Sequence, residues 1–296
     1  MTAKQGSNSR RQASLTEPCG HAAGQNNLRK GKVRISASLP ARNSSGLAKD
    51  DARGLEGKNM SKKLLIQGAI ESEICWYLEQ ECFQKAEKTT RNGFLFYRTE
   101  QEGREILLQL TKMGTIYAAI ATMTAIYEFQ PDIIINQGTA GAQVDTLKSG
   151  DLVIGSQAVN VHSLEMPKRD FGEGMAPEEW LKMETEYVAA APELVQKFEQ
   201  EIGQETRTGK VVSGILGTGD LFSKEKDRIQ WLHDTFGHLS EDMESFAVYK
   251  TCQECGVPCV ALRVISNNEL LNEDYDKRTS LELQRVVWEI INHCTF

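Results

Sequence analysis

Five short runs of the chain concentrate the residue types that do chemistry: GAIESE (68 to 73), NQGTAGA (136 to 142), GTGDLF (217 to 222), SEDMES (240 to 245) and RVISNNE (263 to 269). They hold carboxylates at Glu71, Glu73, Asp220, Asp242, Glu244 and Glu269, an amide at Asn267, hydroxyls at Thr139 and Ser266, and an aromatic ring at Phe222. Carboxylates can exchange protons with a bound substrate or its attacking water, while hydroxyls and amides hold the polar edges of a ligand. Metal chemistry is not expected. Cys252 and Cys255 form a C-x-x-C, but it lies in AVYKTCQECG, which reads as the end of an amphipathic helix closed by Gly256, and no second pair completes a zinc set.

Four of the runs follow apolar stretches that read as strands: LLIQGAI (64 to 70), DIIINQG (132 to 138), GKVVSGIL (209 to 216) and VPCVALRVIS (257 to 266). Between them, ESEICWYLEQECF sets Ile74, Tyr77 and Leu78 at helical spacing, and GTIYAAIATMTAIYEF (114 to 129) reads as an Ala-rich helix. GFLFYRTE and REILLQL read as a strand pair, and SGDLVIGSQAVNV as another strand. Helices are expected near APELVQKFEQEI and SKEKDRIQWLHDTF, from Glu244 to Cys255, and in the closing SLELQRVVWEIINH. Between Val161 and Trp180 the chain turns polar and irregular, as a long functional loop or lid would. Strands alternating with helices predict an α/β fold in three layers, with a central mixed, mainly parallel twisted sheet flanked by helices. In such sheets ligands gather beyond the carboxyl ends of the strands, where these runs lie.

Taken together and in this order, the runs resemble the purine nucleoside phosphorylase and nucleosidase superfamily over about residues 62 to 293, most closely its methylthioadenosine/S-adenosylhomocysteine nucleosidase branch. The family's G-A-M-E-x-E is matched by Gly68 to Glu73, its N-x-G-[ST]-A-G by Asn136 to Gly141, and its T-L-K-x-G-D by Thr146 to Asp151. G-D-x-F is matched by Gly219 to Phe222, and E-M-E by Asp242, Met243 and Glu244. The resemblance implies a nucleoside phosphorylase-like fold, a purine nucleoside N-ribohydrolase acting on a 5'-modified nucleoside, no cofactor and a homodimer. It makes Glu73 the base that activates water, sets Glu244 on the ribose hydroxyls with Met243 against the sugar, and stacks Phe222 on the purine. Ile70, Thr139, Ala140, Gly141, Asp242 and Ser266 complete the expected substrate-binding wall.

Charge separates hydrolysis from phosphorolysis. A phosphorylase holds a dianion with arginines, one of them opening the R-x-G-[ST]-x-G run where this chain has Asn136, and Glu71 and Glu73 would repel phosphate. Water is the expected nucleophile; a nucleoside phosphorylase and a non-catalytic nucleoside-binding protein are the alternatives. One departure bears on specificity. Adenine-specific relatives end the last strand in S-D, whose aspartate serves purine N7, whereas this chain has Ser266 and Asn267. An amide delivers no proton, and the resemblance associates asparagine there with 6-oxopurine or futalosine-type nucleosides; Asp220, Asp242 or Glu269 would have to supply the acid.

Composition excludes other classes. No apolar run approaches the roughly 20 residues of a membrane-spanning helix. Residues 1 to 60 hold 11 Lys and Arg against 4 Asp and Glu, leaving a remainder of net charge -14, which is no footprint for nucleic acid. Residues 1 to 59 are rich in Ser, Gly, Asn and Arg with few large apolar residues, so they are expected to be disordered. They fit a transit peptide, a vector-encoded tail, or a start assigned too early, with the catalytic domain running from Met60 to Phe296. Seven cysteines are an odd number in a chain too large to need disulfides, so reduced thiols and a cytoplasmic setting are expected, or an organelle if the head is a transit peptide.

Overall fold

Alternation along the first strand, β1 (Lys63–Gly68), sorts the protein into layers: Leu64 and Ile66 point to one face of a sheet and Leu65 to the other. The computed structural model describes residues 62–173, 179–203, 206–207, 209–294 and 296. The disordered head expected over residues 1 to 59 lies outside the described residues.

Three antiparallel strands form one flank, β2 (Glu87–Arg91), β3 (Phe94–Gln101) and β4 (Arg104–Leu110). β4 then runs parallel to β1, β1 parallel to β5 (Ile133–Ala142), and β5 parallel to β12 (Cys259–Asn267). On the far side of β12 the antiparallel β6 (Leu152–Asn160) leads to the parallel pair β10 (Val211–Thr218) and β11 (Ser240–Asp242). The short β9 (Tyr187–Ala189) adds to β6. Parallel pairings therefore hold the centre, and antiparallel ones that flank and the β12–β6 join. β11 also pairs with the end of β5, through Ser240 with Ala142 and Glu241 with Gly141, which folds that end of the sheet over the strand tips.

Helices cover both faces. On one, Leu64, Ile66, Ile135 and Leu262 meet Leu194 and Phe198 of α4 (Pro192–Ile202) and Leu283, Val287 and Ile291 of α7 (Thr279–His293). On the other, Leu65, Ile134 and Ala261 meet α6 (Ser245–Cys255) and Ala118, Ala121 and Ala125 of α3 (Thr115–Phe129). Those alanines let α3 lie close on the sheet, and its opposite face leaves Ile116, Tyr117, Ile120, Met123 and Tyr127 exposed. α5 (Lys226–Phe236) packs Leu232 and Phe236 on Val159 and Val161 beyond β6.

Three expectations change. The helix anticipated after β1 is broken into a 3-10 turn at Glu71–Glu73, then α1 (Cys75–Leu78) and α2 (Glu81–Gln84). The cause is Gln284 of α7: its side chain donates to Ser72 O and accepts from Trp76 N, the two groups a continuous helix would join to each other. The NQGTAGA run, expected beyond the end of the DIIINQG strand, stays extended to Ala142 because Arg263, Val264, Ile265 and Asn267 of β12 pair along it. The irregular stretch after Val161 contains a two-stranded ribbon of β7 (Leu164–Glu165) and β8 (Leu181–Lys182), with residues 174–178 outside the described set. No described helix is long and apolar enough to cross a membrane.

Candidate active site

The carboxyl ends of β1, β5, β10 and β12 open onto one cavity of about 550 Å³, roofed by β11 and the start of α6. Glu73, Ile70, Thr139, Ala140, Gly141, Phe222, Asp242, Met243, Glu244, Ser266 and Asn267 all line it.

Glu73 is buried, and four donors hold its carboxylate. Oε2 accepts from the backbone N–H of Ala69 at 2.8 Å and Ile70 at 3.3 Å, and Oε1 accepts from Thr139 N at 2.8 Å and Thr139 Oγ1 at 3.1 Å. The 3-10 turn aims the side chain back across the tip of β1, so that β5 can grip it. Gly138 is required there, since a Cβ would lie 2.8 Å from Glu73 Oε1. A carboxylate so held can take a proton from a water without moving.

Glu244 caps α6, and its Oε1 accepts from Gly114 N at 3.1 Å. Burial pushes its carboxyl up, with the neighbouring Asp242 and Glu73 adding to the effect against the pull of Arg263. Asp242 lines the cavity, but its carboxylate is turned into the fold. Oδ1 accepts from Thr218 Oγ1, Glu244 N and Ser245 N at 2.8 to 2.9 Å, and Oδ2 from Arg263 Nε at 3.0 Å. Arg263, itself buried, also donates to the side chain of Asn136. The network ties β12, β5 and the start of α6 together and holds the backbone that carries Glu244. Asn136 is likewise buried inside the sheet, bonded to Gln67 and Arg263.

At the opposite wall, Asn267 Oδ1 accepts from Ser266 Oγ at 2.9 Å, and its Nδ2 donates to Glu269 Oε1 at 3.4 Å. Nδ2 keeps a second N–H beyond the one given to Glu269, on a residue that lines the cavity. Of the three acids considered to replace the missing aspartate, Asp220 is occupied at the start of α3, accepting from Thr115 N and Thr115 Oγ1, and Asp242 is held by Arg263. Glu269 lines the cavity beside Asn267. Phe222 stands at the rim, 71% exposed, and an aromatic ring there can stack on a flat ligand.

Sequence reasoning missed Glu241, Ser223, Met113, Gln143, Asp274 and Tyr275, all of them in the wall. Glu241 had a signal, since it stands beside Asp242 in SEDMES, but that run reads as a helix start; only the three-residue strand β11 turns Glu241 toward the cavity. Burial pushes the Glu241 carboxyl up to about 7, against the pull of a hydrogen bond from Ser223.

Residues 63–292 match the family model described as the phosphorylase superfamily. A 5'-methylthioadenosine/S-adenosylhomocysteine nucleosidase of Pseudoalteromonas translucida is 30% identical over 236 residues, 78% of this chain and 97% of that one. An aminodeoxyfutalosine nucleosidase of Helicobacter pylori is 29% identical over 73% of this chain and 91% of its own. Among solved structures, the methylthioadenosine/S-adenosylhomocysteine nucleosidase of Neisseria meningitidis in complex with methylthio-immucillin-A superposes with a TM-score of 0.64 at 25% identity, covering 79% of this chain and 100% of that one.

Proposed function

Because the chain belongs to the phosphorylase superfamily and, within it, to the family of the 5'-methylthioadenosine/S-adenosylhomocysteine nucleosidases, we propose that it hydrolyses the N-glycosidic bond of a 5'-modified purine nucleoside such as methylthioadenosine or S-adenosylhomocysteine. Glu73 takes a proton from the water that attacks the anomeric carbon. As the bond to the purine stretches, positive charge builds on the ribose, and the acidic wall stabilises it. Glu244 accepts from the ribose hydroxyls, and Met243 packs on the sugar. Phe222 stacks on the base, over a floor of Thr139, Ala140 and Gly141, with Ile70 and Ser266 closing the sides. Asn267 donates a hydrogen bond to N7 as charge moves onto the base, and Glu269, 3.4 Å from its Nδ2, is the nearby acid able to supply a proton to the leaving group.

The observation that carries hydrolysis is the charge of the wall. Glu73, Glu269 and Asp274 line the cavity, with Glu241 and Glu244 whose carboxyls burial pushes up, against the single lysine Lys224, while Asp242 and the buried Arg263 pair with each other. A phosphate dianion finds repulsion there, whereas water does not. The test is release of free purine from methylthioadenosine and S-adenosylhomocysteine with and without phosphate, with the sugar product identified. A free 5-substituted ribose as the product (5-methylthioribose or S-ribosylhomocysteine), at a rate indifferent to phosphate, supports the reading; the corresponding 5-substituted ribose 1-phosphate refutes it.

The exposed face of α3, with Ile120 and Met123 each 47% exposed and Tyr127 81%, supports association into a homodimer. The acid excess beyond residue 60 supports a small-molecule ligand over nucleic acid, and the odd number of cysteines supports a reducing, cytoplasmic compartment.

A further inference from the structure

Glu241 is a cavity-lining carboxyl that this mechanism leaves unused. It is buried on β11, and its two oxygens stand 2.9 and 3.0 Å from the Ser223 hydroxyl. A hydroxyl carries one proton, so Ser223 satisfies one oxygen and leaves the other able to meet a ligand. The register sets Glu241 across from Asn267: Gly141 of β5 pairs with Glu241 on one side and with Asn267 on the other. Two strand spacings, about 9.5 Å, separate the two backbones, and glycine places no side chain between them.

That span suits a bicyclic base held at opposite edges. In a purine N7 and N1 are about 4 Å apart and their hydrogen bonds diverge, so partners at about 2.9 Å from each lie about 7 to 8 Å apart, within reach of two side chains rising from these backbones. Two adjacent atoms of one edge, about 3 Å apart, would instead require the two side chains to converge closely. Asn267 offers an N–H, and N7 accepts in every purine, so Asn267 fits both base types and leaves discrimination to the far end. There the bases differ: N1 carries a proton in a 6-oxopurine and is a bare acceptor in a 6-aminopurine.

We propose that Glu241 reads N1 of the purine from the side opposite Asn267, accepting from N1–H of a 6-oxopurine as a carboxylate and donating to the bare N1 of a 6-aminopurine as a carboxylic acid. The assignment deepens the purine-nucleoside reading of the cavity and rests on it. Both forms of Glu241 are accessible near neutrality, since burial pushes the group up to about 7; Ser223 and Arg228 of α5 pull it down, and Asp242 beside it pushes it up. Lys224, Glu269 and Asp274 are further charged groups on the same wall. Below that value the acid favours the 6-aminopurine, and above it the carboxylate favours the 6-oxopurine.

The test is calorimetric binding of the free bases adenine and hypoxanthine, from about pH 5.5 to about pH 8, to the wild-type protein, Glu241→Gln and Glu241→Leu. The ratio of the two dissociation constants should shift toward hypoxanthine by about 10-fold or more across that range in wild type, the scale of one charge-assisted hydrogen bond. Glu241→Gln, whose amide offers an N–H or a C=O at any pH, should flatten the ratio, as should Glu241→Leu. The ratio cancels pH effects common to both bases, such as titration of Glu244. A flat ratio in wild type, or the same slope in Glu241→Gln, overturns the assignment. Base binding requires no turnover, so failure to cleave any nucleoside would refute the proposed hydrolysis and still leave the Glu241 result readable.

Discussion

Replacing Glu73 by Gln isolates the base from its geometry. The carboxylate meets four donors and no acceptor, with Ala69 N and Ile70 N on Oε2 and Thr139 N and Oγ1 on Oε1. A glutamine fills the same volume but must turn its NH2 toward one of these pairs, and each pair contains a backbone N–H that cannot reverse its polarity. The variant therefore loses the base and also faces a donor with a donor. The first effect should lower kcat by about 100-fold or more, the usual worth of a positioned general base and about 2.7 kcal/mol or more in barrier. The second should cost about 1 to 3 kcal/mol of stability, the penalty for an unsatisfied buried donor. KM should change little, because the role assigned to Glu73 is on the water and not on the nucleoside. Single-turnover release of adenine from methylthioadenosine reads the first effect, and urea unfolding reads the second. Near-normal turnover in a folded variant would remove Glu73 from the mechanism, and unchanged stability would refute the account of how its carboxylate is held.

Glu244→Gln should cost roughly 1.5 to 3 kcal/mol in kcat/KM and should shrink the penalty for a 2'-deoxy substrate; equal penalties in both proteins would remove the ribose contact. Asn267→Asp should raise kcat/KM for methylthioadenosine relative to its 6-oxopurine counterpart, because a carboxylic acid can give N7 a proton; an unmoved ratio would take Asn267 away from the base. Arg263→Met should destabilise the fold by about 3 to 5 kcal/mol in chemical unfolding, since it strands the buried Asp242 carboxylate; a loss under about 1 kcal/mol would show that the pair holds little. Glu241 ties stability to pH: with its carboxyl raised from 4.5 to about 7, its contribution is fully present below 4.5 and lost as pH rises to about 7. Wild type should lose up to about 3 kcal/mol relative to Glu241→Gln over that interval, and a constant difference would contradict the shift. Tyr127→Lys on α3 should yield monomers in analytical ultracentrifugation, and an unchanged sedimentation coefficient would place any self-association elsewhere.

Much of this arrangement was legible before any coordinates, because strands buried on both faces leave continuous apolar runs, and the polar residues that interrupt such runs at their ends stand out. Leu64 to Ile66 and Ile133 to Ile135 announced β1 and β5, and with them the neighbourhood of Glu73 and Thr139. Side-chain insertion was not legible: the Gln284 amide that splits the helix after Glu73 lies over 200 residues away. Register was equally hidden. β11 has only three residues, too few to show a two-residue period, and Glu241 became part of the site only through its pairing with Gly141. The pairing of Asp242 with Arg263 was hidden too, since a hydrophobic strand gives no reason to single out its arginine.

The start of α3 is a mechanical joint. Gly114, at φ 104 where only glycine sits without strain, donates its N–H to Glu244, and the next residue, Thr115, is clamped by Asp220. The same helix carries the outward apolar face. A tilt of α3 would reach, through that one N–H, the Glu244 carboxylate proposed to hold the sugar. The exposed apolar face, some four turns long, and the N–H that meets Glu244 thus belong to one helix.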